Sequence, residues 1–282
     1  YRDSSRELPA PKATAQILEL ARLSPEQLTH SRSQWKVSYQ PKVDPDGSLI
    51  GVEASMRWQH PTLGPLGPGQ FFIAQQGAGL QEMLTWHVLE KAVAVSEAIR
   101  LEDQRPLPIA VNVPPATLLD EGFVDRLGEL LLRHRLPASA LTLEFAESHC
   151  AQLDNSQVQR LANLRKLGCQ LCLDGFGRGA ANLPQLFDLP LSELKLPGEF
   201  VQGMAEDGKK AAVVASALIL ARRSELEVVV ENVDTLADWQ AVQGLGRVRV
   251  QGGFIAWPMS GGELLKWISA REPSTNGQQG VA

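Results

Sequence analysis

The sequence predicts a closed α/β barrel of the TIM-type (β/α)8 architecture, and three observations predict it. Short apolar runs of strand length alternate with longer amphipathic helical patterns from Gln34 to Ile268, the signature of a parallel sheet covered by helices. Eight such runs can be counted, which favours a closed barrel over an open sheet. No G-x-G-x-x-G turn follows the first run, which counts against the alternative, an open doubly wound sheet.

Taken in order, the strands are expected at Trp35–Val43, Leu49–Arg57, Leu107–Val113, Leu141–Phe145, Cys169–Asp174, Glu193–Leu196, Leu226–Glu231 and Val248–Gln251. Helical periodicity falls at Gln81–Arg100, Ala116–His134, Gln157–Leu167, Lys209–Arg223, Leu236–Leu245 and Gly262–Ala270. Residues 1–33 are polar and mixed, with one amphipathic stretch from Thr14 to Leu23, and are expected to form a linker or helix leading to an upstream domain. The first residue is Tyr1 and not Met, so the chain reads as a processed or excised piece. The barrel domain is expected over 34–271. The tail over 272–282, rich in Gly, Ser, Gln and Asn, is expected to be disordered.

Composition narrows the function. With 44% hydrophobic and 21% charged residues the chain is an ordinary globular protein. No apolar run reaches the length of a membrane span and no signal peptide is visible, so no membrane insertion of this segment is expected. A net charge of -5 leaves no basic stripe for a nucleic-acid polymer, while a small anionic ligand remains compatible. Three cysteines make no disulfide framework, and a cytoplasmic location is the default. Cys169 and Cys172 form a C-x-x-C, but an odd spacing within a strand puts them on opposite faces, so they read as buried structural thiols. The five histidines show no metal-ligand spacing.

The expected strands share one feature. Glu53, Asn112, Glu144, Asp174, Lys195, Glu231 and Gln251 stand at or near the C-terminal ends of seven of them, where a barrel gathers its active site. One such acid alone would read as a helix cap. Seven metal-ligand or proton-transfer residues in succession are poorly explained that way. Clustered carboxylates repel unless a cation or Lys195 offsets them. Carboxylates with an Asn amide oxygen make a hard-oxygen site suited to Mg²⁺ or Mn²⁺.

These residues sit in ordered motifs that resemble the EAL domain, the cyclic di-GMP phosphodiesterase module of bacterial signalling proteins. The motifs are Tyr39-Gln-Pro41, Val52-Glu-Ala-Ser-Met-Arg-Trp58, Val111-Asn-Val113, Leu143-Glu-Phe-Ala-Glu-Ser148, Leu194-Lys-Leu196, Val230-Glu-Asn-Val-Asp-Thr235 and Gln251-Gly252. The resemblance implies that Glu53, Asn112, Glu144, Asp174 and Glu231 stand at metal-ligand positions. It also implies that Lys195 contacts water or phosphate, that Gln251 supports the site, and that Gln40 and Arg57 contact a guanine and a phosphate. Active members hold two divalent ions that activate water for attack on a phosphodiester, and a pair of adjacent aspartates serves that pair of ions.

Here the pair reads Asp174-Gly175, in the run Leu171-Cys-Leu-Asp-Gly-Phe-Gly-Arg-Gly179, and glycine offers no ligand. Further departures surround it. Ser55 replaces the Leu of Glu-Ala-Leu, Asp234 shortens a second acid, and Pro197-Gly198 replaces an Asp-Arg. Arg178 replaces a small hydroxyl residue and Ala180 an aromatic, while Glu147 is retained at a loop-anchoring position.

The expectation is therefore an inactive EAL-like domain with Lys195 and Glu231 vestigial, no cofactor required, and Mg²⁺ or Mn²⁺ held weakly by Glu53, Asn112, Glu144, Asp174 and Glu231. Cyclic di-GMP is expected as ligand through Gln40, Glu53, Arg57, Asp174 and Gln251. A protein output partner or upstream sensory domain would complete the signal, and a homodimer fits the resemblance. Two alternatives stay open: a protein-interaction module that no longer binds the nucleotide, and a slow Mg²⁺-dependent phosphodiesterase.

Overall fold

In the computed structural model, residues 31–61, 64–67, 80–178, 188–204 and 206–271 are described. The stretch Thr14–Leu23, most of the 1–33 leader, Ala180 and the 272–282 tail lie outside them. Among the described residues nine strands form: β1 (Trp35–Val43), β2 (Leu49–His60), β3 (Gly64–Leu66), β4 (Ile109–Asn112), β5 (Leu141–Ala146), β6 (Gln170–Asp174), β7 (Glu193–Leu196), β8 (Glu227–Val230) and β9 (Arg249–Val250). Each neighbour pairs with the next in the order β1-β9-β8-β7-β6-β5-β4-β2, and β1 pairs back with β2. Eight strands thus close a (β/α)8 barrel, with β3 an extra edge on the end of β2.

One barrel strand departs from the parallel sheet expected. β1 runs antiparallel to both β2 and β9. The reason is local: Gly47 N donates to Asp44 O and Asp44 N to Ser48 O, so Asp44–Ser48 makes a tight hairpin. So short a link admits only an antiparallel partner, because a parallel crossover needs a dozen residues or more.

The helices are α1 (Leu80–Ala98), α2 (Pro115–Leu118), α3 (Phe123–Arg133), α4 (Asn155–Leu167), α5 (Gly198–Val201), α6 (Gly208–Arg223), α7 (Leu236–Gln243) and α8 (Gly261–Ser269). The single helix expected over Ala116–His134 is two. Asp120 breaks it by accepting the Gly122 backbone N–H on its side chain, closing a turn between α2 and α3. Capping boxes start α4, α7 and α8 on Asp154, Thr235 and Ser260, and Asp207 caps α6. The strand-end acids are therefore not used as caps for these helices. Among the described residues no helix is long and apolar enough to cross a membrane.

Outward-facing strand residues such as Leu143, Leu171, Leu194 and Val230 join one apolar core with the helices. The barrel interior is different. Lys42, Glu53, Glu144, Glu193, Lys195 and Gln251 are all buried, where barrels of this type usually pack branched aliphatic side chains. Cys172, on β6, is buried in this polar interior, and Cys169, which falls just before β6 and not in the strand as expected, is buried in the apolar core; both are free.

Candidate functional site

The site is built around Lys195. Its side chain is 1% exposed, and its Nζ donates to Glu53 Oε2 at 2.9 Å and to Glu144 Oε2 at 2.8 Å, with Glu231 Oε1 at 2.8 Å. An ammonium has three N–H groups, and three carboxylates take them. Glu53 comes from the middle of β2 and not from a strand end as expected, because β2 runs on to His60 and rises above the mouth. Its Oε1 accepts from Asn112 Nδ2 at 2.8 Å and Ser55 Oγ at 3.3 Å, and its Oε2 also accepts from Gln251 Nε2 at 2.8 Å. Gln251 Nε2 reaches Gln40 Oε1 at 3.1 Å as well, and Gln40 Nε2 donates to the Ala256 carbonyl at 3.1 Å. One acceptor, Gln251 Oε1, is buried without a partner among the described residues.

Asp174 ends β6 at the same mouth and acts by charge on Lys195, Glu144 and Glu231. The turn after it is tied down on three sides. Phe176 N donates to Lys195 O, Arg178 N to Glu147 Oε2 at 3.1 Å, and Arg178 Nε to Glu199 Oε1 at 3.0 Å. Gly175 has φ +76°, so the missing acid coincides with a left-handed backbone position. Past β7, Gly198 lies so near the end of β8 that a Cβ would sit 2.4 Å from the Glu231 carbonyl oxygen. No side chain fits there without backbone movement.

Of the predicted residues, Gln40, Glu53, Asn112, Glu144, Lys195, Glu231 and Gln251 form one bonded network, with Asp174 beside it. Arg57 stands apart. It shares the strand face of Glu53 but lies four residues further along β2, about 13 Å at the usual rise per residue. Its Nη1 donates to the Met56 carbonyl at 2.9 Å.

Sequence reasoning missed a second polar layer beneath the first. Lys42 Nζ donates to Glu144 Oε1 at 2.7 Å and Glu193 Oε1 at 3.3 Å, and Arg249 Nη1 donates to Glu193 Oε2 at 2.7 Å. The signal was available. Lys42 is two residues from Gln40, Glu193 two from Lys195 and Cys172 two from Asp174, so strand alternation aims all three inward.

Burial and charge compete here. Burial pushes the Glu53 carboxyl upward, but Lys195, Lys42 and the hydrogen bonds from Lys195 and Gln251 outweigh it and hold it at about 2. Burial dominates at Glu144, which is raised to about 7 despite both ammonium groups. Burial likewise raises Glu231 against Lys195. Burial opposes the charge on Lys195, and the surrounding acids, Glu144 first, hold it firmly protonated. Burial keeps the three thiols protonated, Cys150 and Cys169 at about 12 and Cys172 well above its ordinary value.

The mouth offers donor types that suit a divalent ion, though among the described residues no three of its acids place ligand atoms within 4.8 Å of one another. Glu53, Glu144, Asp174 and Glu231 supply hard oxygens, and Asn112, which gives its NH₂ to Glu53, keeps its amide oxygen for a ligand. Gly175 offers no side-chain ligand for a second ion. Even the first must compete with protein donors, because the four acceptor positions of Glu53 receive Asn112, Ser55, Lys195 and Gln251. Among the described residues, the carboxylate and thiol groups close enough to share an ion are Glu144, Cys172 and Glu193, one layer below the mouth.

A (β/α)8 barrel with a lysine-centred ring of acids at its C-terminal mouth is the class that fold and site define. The chain belongs to the EAL domain family, whose model matches residues 22–258. Among curated proteins it is 32% identical over 237 residues to the cyclic di-GMP phosphodiesterase RocR of Pseudomonas aeruginosa, covering 84% of this chain and 60% of RocR. It is 35% identical over 239 residues to the bifunctional diguanylate cyclase/cyclic di-GMP phosphodiesterase MucR of the same organism, covering 84% of this chain and 35% of MucR. The chain thus spans under two thirds of either relative. The solved structure of the PaMucR phosphodiesterase in complex with c-di-GMP superposes with a TM-score of 0.78 at 33% identity, covering 88% of this chain and 99% of that one. The c-di-GMP-bound EAL domain of FimX from Pseudomonas aeruginosa, at 21% identity and TM-score 0.74 over 87% of this chain and 96% of that one, shares the fold.

Proposed function

We propose that this chain takes cyclic di-GMP at its barrel mouth as a receptor and passes the signal to a protein partner or linked sensory domain, without hydrolysing it at a useful rate. The observation that carries the reading is Gly175 beside Asp174. It removes the acid that a second ion needs, in a turn that also carries Arg178. Loss of one preorganised electrostatic group commonly lowers a rate by about two to three decades. Binding draws support from the PaMucR complex at 33% identity and from the retention of Gln40, Arg57, Glu53, Asp174 and Gln251. In this reading the orphaned Gln251 Oε1 accepts a donor from the bound nucleotide or its water. Arg57 offers a planar fork for phosphate. Glu53, Asn112, Glu144, Asp174 and Glu231 would hold a single Mg²⁺ or Mn²⁺, which when bound polarises a phosphate oxygen.

A second reading, slow single-ion hydrolysis, is favoured by relatives named as phosphodiesterases. Calorimetric titration of cyclic di-GMP with Mg²⁺ and with EDTA, with product analysis of the same samples, separates them. Micromolar binding without product supports the receptor. Product formation that needs Mg²⁺ supports the phosphodiesterase, and absence of binding by folded protein leaves an interaction module. In the receptor case Arg57→Ala weakens binding by about 1.5–3 kcal/mol, the value of a charged hydrogen bond. An unaltered dissociation constant removes Arg57 from the site.

A further inference from the structure

Below the mouth the barrel encloses a second cation, Lys42, to which the function above gives no role. It is 5% exposed and bonds two carboxylates, Glu144 at 2.7 Å and Glu193 at 3.3 Å. Glu144 is fully buried, and its two oxygens face two different ammonium groups, Oε1 to Lys42 and Oε2 to Lys195. Glu193 is likewise shared, between Lys42 and Arg249. Glu144 and Glu193, with Cys172, offer ligand atoms within 4.8 Å of one another, a spacing that would serve a metal ion, and the Lys42 ammonium bonds both of these carboxylates.

We propose that Lys42 is a positioning residue that lowers the cation affinity of the mouth from beneath. By holding Glu144 Oε1 it withholds that carboxylate from a divalent ion, and Glu193 tempers the hold by taking a share of the ammonium. The inference rests on reading the mouth acids as a cation site and assigns the control of that site to a residue outside it. Charge, not packing, is the agent, so two substitutions in the layer must act in opposite directions. Lys42→Met frees Glu144 and removes the positive charge that lies 2.7 Å from its Oε1. Glu193→Gln keeps an acceptor for Lys42 but removes the charge that competes with Glu144 for it.

The test is calorimetric titration of Mn²⁺ into the whole chain and both variants, with folding checked by circular dichroism. Mn²⁺ is expected to bind Lys42→Met at least about tenfold more tightly than the parent, and Glu193→Gln at least about threefold more weakly. Lys42→Arg, which keeps the charge, is expected to show no gain. Both affinities falling, or neither moving, would mean a packing role and overturn the proposal. Glu193 keeps its neighbour Arg249 with no new buried charge, so if Lys42→Met fails to fold, an unchanged or tighter affinity in Glu193→Gln overturns it alone. Cyclic di-GMP titrated into the parent in EDTA tests the receptor reading separately. Loss of that reading leaves the Mn²⁺ pattern standing, whereas no Mn²⁺ binding by any of the proteins removes the cation site and this proposal with it.

Discussion

Replacing Gly175 by Asp restores a second carboxylate beside Asp174, and the local geometry sets what that group would meet. At φ +76° most L-residues are strained by about 1–2 kcal/mol, Asp less than most. Space is no obstacle, since a Cβ would lie 3.7 Å from Arg178 Cδ and 3.8 Å from Nη1, an ordinary contact. The same proximity places a guanidinium next to the new carboxylate. With Arg178 exposed, the pair contributes about 0–1 kcal/mol, roughly offsetting the strain, so stability should move by less than about 1 kcal/mol. The pair also cancels the charge gained. Gly175→Asp alone is therefore expected to change Mn²⁺ affinity by less than about threefold, whereas Gly175→Asp with Arg178→Thr should raise it at least about tenfold. The arithmetic is Coulombic: a carboxylate about 5 Å from a divalent ion gains about 1.7 kcal/mol even at the dielectric constant of water, and about 1.4 kcal/mol is tenfold. Calorimetry with Mn²⁺ on the three proteins decides it. A single variant that binds as tightly as the double, or a double that binds like the parent, would refute the role given to Gly175 and Arg178.

Three further outcomes follow from the geometry. Gly198→Ala puts a Cβ 2.4 Å from the Glu231 carbonyl, so it should destabilise the fold by about 1–3 kcal/mol, read as a lower urea midpoint with unchanged slope. Ser55 lines an open crevice of about 30 Å³ with Leu84, Val88 and Asn112; Ser55→Leu covers it but gives up a hydrogen bond to Glu53 of similar worth, so stability read from the same urea curves should move by less than about 1 kcal/mol. Glu144, raised from 4.5 to about 7, binds a proton more tightly when folded, so its contribution is intact below pH 4.5 and is lost as pH rises through 7. Glu53, lowered to about 2, works the other way, losing its contribution only as pH falls from 4.5 towards 2. Glu144→Gln should therefore flatten the fall in stability between pH 5 and 7.5, and a slope left unchanged would count against Glu144 as its source.

The barrel was legible because its signals are local. Each strand run is apolar on its outward face, and helices such as Phe123–Arg133 and Gly261–Ser269 repeat their apolar positions with a helical period, so alternating elements could be counted from Trp35 to Ile268. The upper acids were legible because parallel strands deliver their ends to one mouth wherever their neighbours lie. Two errors had local signals that went unread: the five-residue Asp44–Ser48 link that forces β1 antiparallel, and Asp120-Glu-Gly122, which divides the helix after β4.

What the sequence by itself determined was the element order, the closure and the identity of the polar residues at the mouth, Gly175 among them. Only the tertiary structure decided their partners. Lys42 meets Glu144 and Glu193 across separations of 102 and 151 residues, and Lys195 meets Glu53 across 142. Which ammonium faces which carboxylate depends on the stagger of eight strands around a closed ring, and that stagger is fixed by packing and register summed over the whole barrel, not by any one segment.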